Sequence, residues 1–525
     1  MSRLRLARVS LPVQDLASAS DEYDLLLRQA AAKCRVQPRS IIDLTIVKKS
    51  LDARDKGRPV FIYTLDVTAP GNAKGEKAPA DAPLEIRRVE SGAPRPLVVG
   101  AGPAGLFAAW ALSRAGLRPL VIEQGKAVSE RELDVARFWE QGRLDPLSNI
   151  QFGEGGAGAF SDGKLTSRSK DPLGREVLRQ LVACGADPSV MYWHKPHLGS
   201  DRLPAIIANL RREIQALGGE FCFSTRLTGL TLSAGRLSGA TLEGPFGQKE
   251  LAAERLILAV GNGARGVYRM LAETGVALEA KAFAVGVRVE QEQAAIDRAQ
   301  YGAFAGHPLL AAADYSLTYR GPDRGFYTFC NCPGGFVVNA SSEPEGVVTN
   351  GVSLAARDGK RCNAAAVGEV KPGRDFGPFE LDGLEFQLKL ERAAYALAGG
   401  GHALPVSSAS LFCGGAAEEI EPAPKSAAVK EADLRSLFSE ELSSGLAQAL
   451  LHWGKMLPGF LRRAVLYGAE SRTSAPVRIL RGRDRQSLNC AGLYPAGEGA
   501  GYAGGIVSSA IDGLHAALAI IESLG

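Results

Sequence analysis

The residues with the most specific chemistry are Gly100, Gly102 and Gly105, which follow a short apolar run and are spaced as G-x-G-x-x-G. Gly100 permits a tight turn, Gly102 leaves the backbone open to a pyrophosphate, and Gly105 allows a helix to pack closely against a strand. The amide groups at the N-terminus of such a helix bind phosphates. The pattern therefore predicts a dinucleotide site that includes the turn residues Pro103 and Ala104.

An acidic residue stands where this kind of site needs one. Glu123 ends the next apolar run, about 20 residues beyond the glycines. An acid at this place accepts hydrogen bonds from a ribose 2′-OH and repels a 2′-phosphate, so NADP is disfavoured. We expect Glu123 and its neighbour Gln124 to bind the adenosine end of the cofactor.

A second glycine-rich turn, at the C-terminus, favours FAD over NAD. Gly497 and Glu498 precede Gly504, Gly505 and Ile506, which open an apolar helix. In many FAD enzymes the chain returns at its end to an acid that binds the ribityl hydroxyls and to a helix that points at the flavin pyrimidine. The helix dipole would stabilise negative charge that develops on the reduced flavin. An NAD domain has no need of this element.

A second literal G-x-G-x-x-G occurs at Gly261, Gly263 and Gly266, so a second dinucleotide site has to be considered. That site would require an apolar strand that ends in an acid, and Glu279 has no such strand before it. The alternating residues 220–242 before the motif indicate a β-meander that leads back to one parallel sheet. We therefore expect Gly261 to lie beside the adenosine end of the same FAD.

Seven motifs, in order along the chain, extend the comparison beyond one glycine turn. The chain resembles a family of uncharacterised bacterial FAD-dependent dehydrogenases over nearly its whole length. Among glutathione-reductase-like flavoproteins it is most similar to enzymes with one FAD domain and one large substrate domain. It departs from many FAD enzymes by having Glu498 where they have Asp. The matching motifs are GAGPAGL (100–106), FGEGGAGAFSDGKL (152–165), PHLGSD (196–201), CNCPGG (330–335), TNGVS (349–353), RTSAPVR (472–478) and PAGEGAGYAGGI (495–506).

The resemblance places the glycine-rich loop of residues 151–168 along the FAD. Its free amide groups would cradle an anion or let the flavin ring approach. Lys164 would then lie near the isoalloxazine as a candidate catalytic side chain; the alternative is a tight turn that only packs two domains together. The predicted cofactor contacts in this loop are Gly155, Gly156, Ala157 and Gly158.

The pair Cys330 and Cys332 raises the possibility of thiol redox chemistry. On a regular strand over residues 327–332 both side chains face one side, at roughly 6.5–7 Å. A disulfide needs Cβ atoms within ~3.5–4.5 Å, so the chain would have to leave strand geometry. Two small buried thiols are the alternative explanation.

Three further residues are candidates for substrate chemistry or metal binding. His197 is a candidate acid or base. Its H-x-x-H spacing with His194 is too weak a pattern to predict a metal site, and none is expected. Arg472 lies in a polar stretch before the C-terminal glycine turn and is a candidate clamp for a substrate carboxylate. A plain salt bridge is the other interpretation of Arg472.

Composition restricts the class of protein. The chain is 46% hydrophobic and 22% charged, with 61 basic and 57 acidic residues and a net charge of +4, so nucleic acid is not expected as its main partner. No run approaches ~18 consecutive apolar residues, so no membrane helix is expected. The arginine-interrupted N-terminus is not a secretory signal, and eight scattered cysteines favour a reducing cytosol. We therefore expect a cytoplasmic protein.

The predicted fold class is α/β, with three parts. A small N-terminal α+β domain and its linker take residues 1–93. A Rossmann-type FAD/NAD(P)-binding domain takes 94–274 and 485–525. A large mixed α+β substrate or cap domain takes 275–484 and includes a predicted helix over 431–451.

Together these features predict an FAD-dependent oxidoreductase, a dehydrogenase or a reductase. It would transfer a hydride between an unidentified small substrate and flavin N5, with reoxidation by oxygen, NAD(P)H or a soluble electron carrier. Two alternatives stay open. One is a flavoprotein that acts on or with RNA through basic residues such as Lys48 and Lys49; the other is a redox sensor without turnover.

Overall fold

The N-terminal domain is a four-stranded antiparallel sheet covered by one helix. The computed structural model describes residues 1–16, 19–90, 92–167, 169–425 and 428–524. The strand order is β2-β3-β1-β4, and Leu26 and Ala30 of the helix are buried against the sheet. The elements are β1 (Ser2–Pro12), α1 (Ala19–Cys34), β2 (Asp43–Asp52), β3 (Val60–Ala69) and β4 (Glu76–Lys77).

This domain is joined to the next one through Lys49, whose backbone pairs with the chain at Trp193. The Lys49 ammonium lies 2.7 Å from a carboxylate oxygen of Glu22 and 4.5 Å from the ring centre of Phe61. The lysine is buried, so it adds nothing to an exposed basic surface. The burial of Lys49 removes one of the basic residues on which the hypothesis of an RNA-binding surface was based.

A five-stranded parallel sheet in the order β23-β11-β5-β6-β7 forms the nucleotide-binding domain. Its first strand is buried throughout, as expected of a parallel strand covered on both faces. The elements up to the next domain are β5 (Leu97–Val99), α2 (Pro103–Arg114), β6 (Leu120–Ile122), α3 (Val128–Gln141), α4 (Leu173–Ala183), α5 (Leu203–Ala216), β7 (Glu220–Cys222), β8 (Arg226–Ser233), β9 (Arg236–Gly244), β10 (Gly247–Ala252), β11 (Leu256–Leu258) and α6 (Arg265–Glu273).

The meander differs from its prediction at one end. Residues 220–222 form β7, which pairs with β6 in the parallel sheet, and only β8, β9 and β10 form the separate antiparallel meander. The second glycine motif follows β11, a strand of this same sheet. It therefore does not open a second nucleotide-binding domain.

The third domain is built on a seven-stranded sheet in the order β14-β15-β18-β13-β21-β19-β20. The predicted helix over 431–451 begins later, because Ser439 caps α10 by accepting the amide of Leu442, and residues 429–431 form an edge strand. The elements are β12 (Leu278–Ala280), β13 (Phe283–Glu292), α7 (Gln293–Tyr301), β14 (Thr318–Arg320), β15 (Gly325–Cys332), β16 (Phe336–Asn339), β17 (Thr349–Val352), β18 (Arg361–Val370), α8 (Asp382–Leu397), β19 (Leu404–Ser408), α9 (Ala409–Phe412), β20 (Val429–Glu431), α10 (Glu440–Met456), β21 (Val465–Glu470) and β22 (Val477–Ile479).

The chain then returns to the nucleotide-binding domain through β23 (Leu493–Pro495) and α11 (Ile506–Ser523). Helix α11 lies against α2, where a side chain on Gly513 would come within 1.9 Å of the carbonyl oxygen of Ala104. By length and composition α11 could cross a membrane, but most of its residues are buried in the protein, as in a core helix. The predicted domain limits at 93/94, 274/275 and 484/485 stay predictions.

Candidate flavin-binding cavity

A cavity of about 1290 Å³ lies between the parallel sheet and the seven-stranded sheet. Ligand sites in proteins commonly measure ~300–1,000 Å³, so this one has room for more than a mononucleotide. Two sides of it differ in chemistry, and we call them the glycine wall and the charged wall. The glycine wall is formed by residues 99, 100, 102–104, 122–124, 156–158, 259–263, 497, 498, 502–506, 508 and 509; the charged wall is formed by Asp162, Lys164, Cys330 and Glu470.

Two helices begin at the glycine wall, each with a glycine as its cap residue. Gly102 caps α2 and Gly505 caps α11, and neither supplies a side chain to cover the first amides of its helix. A Cβ built on Gly504 or Gly505 meets no atom within 4 Å. Uncapped amides with open space before them suit the phosphates and the pyrimidine edge of a flavin dinucleotide.

Two of the predicted cofactor contacts have structural roles instead. Gly105 does not line the cavity; a Cβ there would be 1.8 Å from the carbonyl oxygen of Gly100, so the glycine permits helix packing. Gly155 has φ +86°, and a Cβ there would be 2.5 Å from Ile207. Every other predicted cofactor contact lines the cavity. They are Gly100, Gly102, Pro103, Ala104, Glu123, Gln124, Gly156, Ala157, Gly158, Gly261, Gly497, Glu498, Gly504, Gly505 and Ile506.

Glu123 holds the glycine wall together as well as lining it. Its carboxylate accepts the amide of Ala101 at 2.8 Å, that of Gly125 at 3.0 Å and that of Gly153 at 2.9 Å. These bonds tie the first glycine turn to the loop of residues 151–167. Sequence spacing indicated a ribose acceptor but not this second role.

Glu498 lies on the same wall, with one oxygen accepting the side-chain amide of Asn262 at 2.7 Å. Burial raises the pKa of Glu498 to about 7, although the amide of Gly505 and the charge of Lys281 act against this shift. The carboxyl group therefore changes protonation near neutral pH. Asn262, in the middle of the second glycine motif, was missed from the sequence because only the glycines drew attention there.

The charged wall brings Lys164 to the cysteine pair. Its ammonium lies 3.8 Å from Sγ of Cys330, 3.6 Å from Sγ of Cys332 and 3.0 Å from a carboxylate oxygen of Asp162. Arg357 donates to the same carboxylate from the other side. Lys164 and Cys330 line the cavity, whereas Cys332 is fully buried and does not.

The predicted strand over Gly325–Cys332 is present as β15, but its geometry is not regular at the cysteines. Cys330 has φ +49°, and the pairing of β15 with β18 shifts between Phe329 and Cys332. A bulge with a left-handed residue re-aims the side chains next to it. The sulfur of Cys332 consequently lies 3.4 Å from the carbonyl oxygen of Cys330.

Glu470 of this wall binds Arg288, which is fully buried and does not line the cavity, and sequence analysis missed both residues. Arg288 donates to Glu470 at 3.1 Å, to the carbonyl oxygen of Cys330 at 2.9 Å and to Sγ of Cys332 at 3.5 Å. Burial raises the pKa of Glu470 to about 7, against the charge of Arg288. Glu470 lies two residues before the RTSAPVR motif, and this closeness is the sequence feature that could have indicated it as a site residue.

The other two predicted catalytic residues do not take their predicted roles. Arg472 lines the cavity, but its guanidinium binds both oxygens of Glu391, at 2.9 and 2.8 Å, and also Ser342. It is therefore a structural ion pair and not a free carboxylate clamp. His197 lies outside the cavity lining, where its Nε2 contacts the carbonyl oxygen of Ala355 at 3.0 Å. Burial lowers the pKa of His197, which favours the neutral ring.

Family comparisons agree with this architecture. A model described as FAD-dependent protein, C-terminal domain-like, matches residues 282–473. A model of an NAD(P)-binding Rossmann-like domain matches residues 98–131, and a domain of unknown function matches residues 5–68. Together with the parallel sheet and the glycine wall, they define a flavoprotein with a Rossmann-type nucleotide-binding domain, and FAD is its cofactor.

A relative that matches nearly the whole chain identifies its family. An "Uncharacterized protein" of Clostridium beijerinckii is 40% identical over 522 residues, which cover 96% of this chain and 97% of the relative. The chain belongs to the same family as this clostridial protein, a family of FAD-dependent proteins. The predicted kinship with glutathione-reductase-like enzymes stays a prediction.

Solved structures of flavoproteins are more distant. A triple mutant of the flavin-dependent brominase Bmp2 is 11% identical, with a TM-score of 0.36 over 82% of this chain and 80% of that one. A flavoprotein/dehydrogenase from Cytophaga hutchinsonii is 12% identical, with a TM-score of 0.36 over 82% and 79%. CtdE in complex with FAD is 12% identical, with a TM-score of 0.31 over 83% and 84%. None of these similarities assigns a reaction.

Proposed function

We propose that the protein is an FAD-dependent oxidoreductase that transfers a hydride equivalent between a small substrate and the flavin. The observation that carries this proposal is one cavity of about 1290 Å³ in which the glycine wall faces a wall of ionisable side chains. FAD supplies the ability to accept and donate an electron pair at N5. The volume leaves room for a second molecule beside the dinucleotide.

The residues divide into those that bind and those that move protons. The uncapped helix ends at Gly102 and Gly505 bind the pyrophosphate and the pyrimidine edge, and Glu123 binds the ribose. Glu498 and Asn262 bind the ribityl hydroxyls. These groups position the cofactor without taking part in bond making.

Glu470 is the candidate proton donor and acceptor. It lines the cavity, and its pKa of about 7 lets it hold or release a proton at neutral pH. Lys164 lies on the same wall and favours negative charge on a substrate there. The cavity is also lined by Tyr327 and by Phe329, a residue that is 42% exposed, so aromatic side chains are available to contact a substrate.

The first test is the identity of the cofactor. The purified protein is expected to be yellow and to release FAD, not FMN, on denaturation. Glu123→Gln keeps the shape but presents NH₂ to backbone amides, so FAD affinity should fall by the equivalent of about 1.5–3 kcal/mol. Glu250→Gln, at an exposed site on the meander, is the matched control and should bind FAD like the wild type. Recovery of FMN, or equal affinity in both variants, would contradict the assignment.

The second test is turnover. The oxidised holoprotein is mixed anaerobically with candidate reductants, among them NADH and NADPH, and the visible flavin band is followed. Loss of the band and its return with oxygen or a soluble acceptor would support an oxidoreductase. A flavin that no reductant bleaches and no acceptor reoxidises would refute it in favour of a non-catalytic role.

A further inference from the structure

We propose that Cys330 and Cys332 are a redox-active pair that closes to a disulfide in the cavity, which makes a thiol or disulfide compound the substrate class of this enzyme. The inference rests on the proposed function and deepens it. Cys330 is the sulfur that meets the substrate, and Cys332 is the buried sulfur that resolves the mixed disulfide. Geometry, charge and access each support this assignment.

The geometry comes from the bulge in β15. On a regular strand, residues two apart are separated by about 6.6 Å between Cα atoms, with side chains parallel, and this arrangement does not favour a disulfide. The left-handed backbone of Cys330, with φ +49°, breaks that arrangement at the cysteine that would have to turn. A non-glycine residue in this region is uncommon, and strained positions of this kind concentrate at functional sites.

The charges around the sulfurs favour a thiolate. Lys164, Arg288 and Arg357 are three cations, and Asp162 and Glu470 are the two carboxyl groups among them. Each cation lies against a carboxyl group, but Lys164 and Arg357 share Asp162, so the cluster carries one net positive charge when both carboxyl groups are ionised and two when Glu470 is protonated. An anion on sulfur would balance the cluster.

The two thiols respond unequally to this environment. A hydrogen bond from Cys332 lowers the pKa of Cys330 well below its usual range, and the charges of Lys164 and Arg288 assist. The same hydrogen bond and burial raise the pKa of Cys332. Glu498, on the glycine wall, also faces this cluster through its electrostatic interaction with Cys330. Such a pair resembles a nucleophilic thiolate and its resolving thiol.

Access separates the two sulfurs in the same order. Cys330 lines the cavity, and Cys332 has no exposed surface. Among the residues that the structure describes, no second cysteine has a comparable pair of cations at its sulfur. Burial raises the pKa of five of them, namely Cys34, Cys184, Cys362, Cys413 and Cys490.

The reaction balances as a thiol–disulfide exchange followed by a two-electron transfer. The Cys330 thiolate attacks one sulfur of a substrate disulfide, the substrate S–S bond breaks, and one substrate thiolate leaves. Cys332 then attacks Cys330, and its proton leaves with the second substrate thiol. The new Cys330–Cys332 disulfide is returned to two thiols by two electrons and two protons that reduced FAD supplies. The reverse sequence oxidises a substrate dithiol.

Electron counting tests the pair without an activity assay. The air-oxidised holoprotein is titrated anaerobically with dithionite while the flavin band is recorded and the cysteines are mapped by alkylation and mass spectrometry. Wild type should take up four electrons per FAD and lose a Cys330–Cys332 linkage. Cys330→Ser and Cys332→Ser should take up two electrons, and Cys413→Ser, the matched control, should behave like wild type. A wild-type titration that ends at two electrons with both thiols free throughout would overturn the inference.

Alkylation rates test the thiolate separately. At a pH of about 6, iodoacetamide should modify Cys330 roughly tenfold or more faster than Cys222 and Cys413, which are also partly exposed. Lys164→Met should remove most of that advantage and shift the pH profile upward. Equal rates in wild type and Lys164→Met would contradict the charge argument. A flavin that reacts with other reductants while the pair stays reduced would overturn this inference and leave the proposed function intact. A disulfide that never exchanges electrons with bound FAD would overturn it in the same way, whereas a flavin that no reductant bleaches would refute the proposed function itself.

Discussion

The glycine wall and the charged wall face the same cavity but are built in opposite ways. The glycine wall presents main chain, and its key positions need only small residues and particular backbone angles, as at Gly505 with φ +101°. The charged wall presents side chains from segments far apart in the sequence, such as Lys164, Cys330 and Glu470. Local backbone geometry is therefore enough to bind the phosphates of a cofactor. The reactive part of a substrate has to be contacted by side chains that the fold assembles from distant segments.

The largest expected effect on stability comes from breaking the buried ion pair between Arg472 and Glu391. Arg472→Met leaves Glu391 buried with only Arg265 as its cationic partner, so the free energy of unfolding should fall by about 3–5 kcal/mol. Urea denaturation measures this. Arg269→Met removes an exposed pair with Glu385 and should cost less than about 1 kcal/mol. Similar losses in both variants would show that the buried pair is not a structural anchor.

A methyl group at Gly105 tests whether the glycine wall depends on packing. Its Cβ would lie 1.8 Å from the carbonyl oxygen of Gly100, so Gly105→Ala should lower the free energy of unfolding by about 1–3 kcal/mol and release FAD. Gly504→Ala is the matched change, because its Cβ meets only open cavity. That variant should keep the wild-type melting temperature and weaken FAD binding alone. A stable, FAD-loaded Gly105→Ala protein would break the distinction between packing and binding glycines.

The pH dependence of stability distinguishes Glu470 of the charged wall from Glu391, the buried partner of Arg472. Burial holds the pKa of Glu470 at about 7, above its ordinary value of 4.5, so the stability that comes from its proton is complete below pH 4.5 and is lost as the pH rises through 7. The pKa of Glu391, beside Arg472 and Arg265 and despite its burial, is about 2, so its contribution is present above pH 4.5 and is lost on acidification through 2. Glu470→Gln should flatten the decline in melting temperature between about pH 5 and 8, and an unchanged slope would contradict this.

The smallest effect is expected at the N-terminus of α11. Gly505→Val would hold the flavin away from the helix, so the flavin midpoint potential should fall by tens of millivolts at most, together with weaker FAD retention. The dipole is worth ~0.3–2 kcal/mol, and 1 kcal/mol is about 22 mV for two electrons. Gly373→Val has a similar positive φ with open space around it, outside the cavity, and controls for backbone strain. Equal potentials in both variants would show that α11 does not act on the flavin.

Local backbone demands are the part of this protein that its sequence determined. The parallel strands and the nucleotide-binding turn were predicted from Gly100, Gly102 and Glu123. This was possible because a tight turn or a close approach of the backbone restricts the residue types within a few positions. The returning helix was predicted from Gly504 and Gly505 in the same way. The helix predicted over 431–451 shows the limit, since a cap at Ser439 moved its start to Glu440.

The chemistry opposite the glycines follows from the tertiary fold and could not be predicted from local sequence. Nothing local joins Lys164 to Cys330, or Arg288 to Glu470, because each pair meets through strand order and through a bulge that periodicity does not reveal. The same reason explains Arg472, whose type suits a substrate carboxylate as well as Glu391. The partner of a charged side chain is the opposite charge that the fold places beside it. Packing determines that partner, and spacing along the chain does not reveal it.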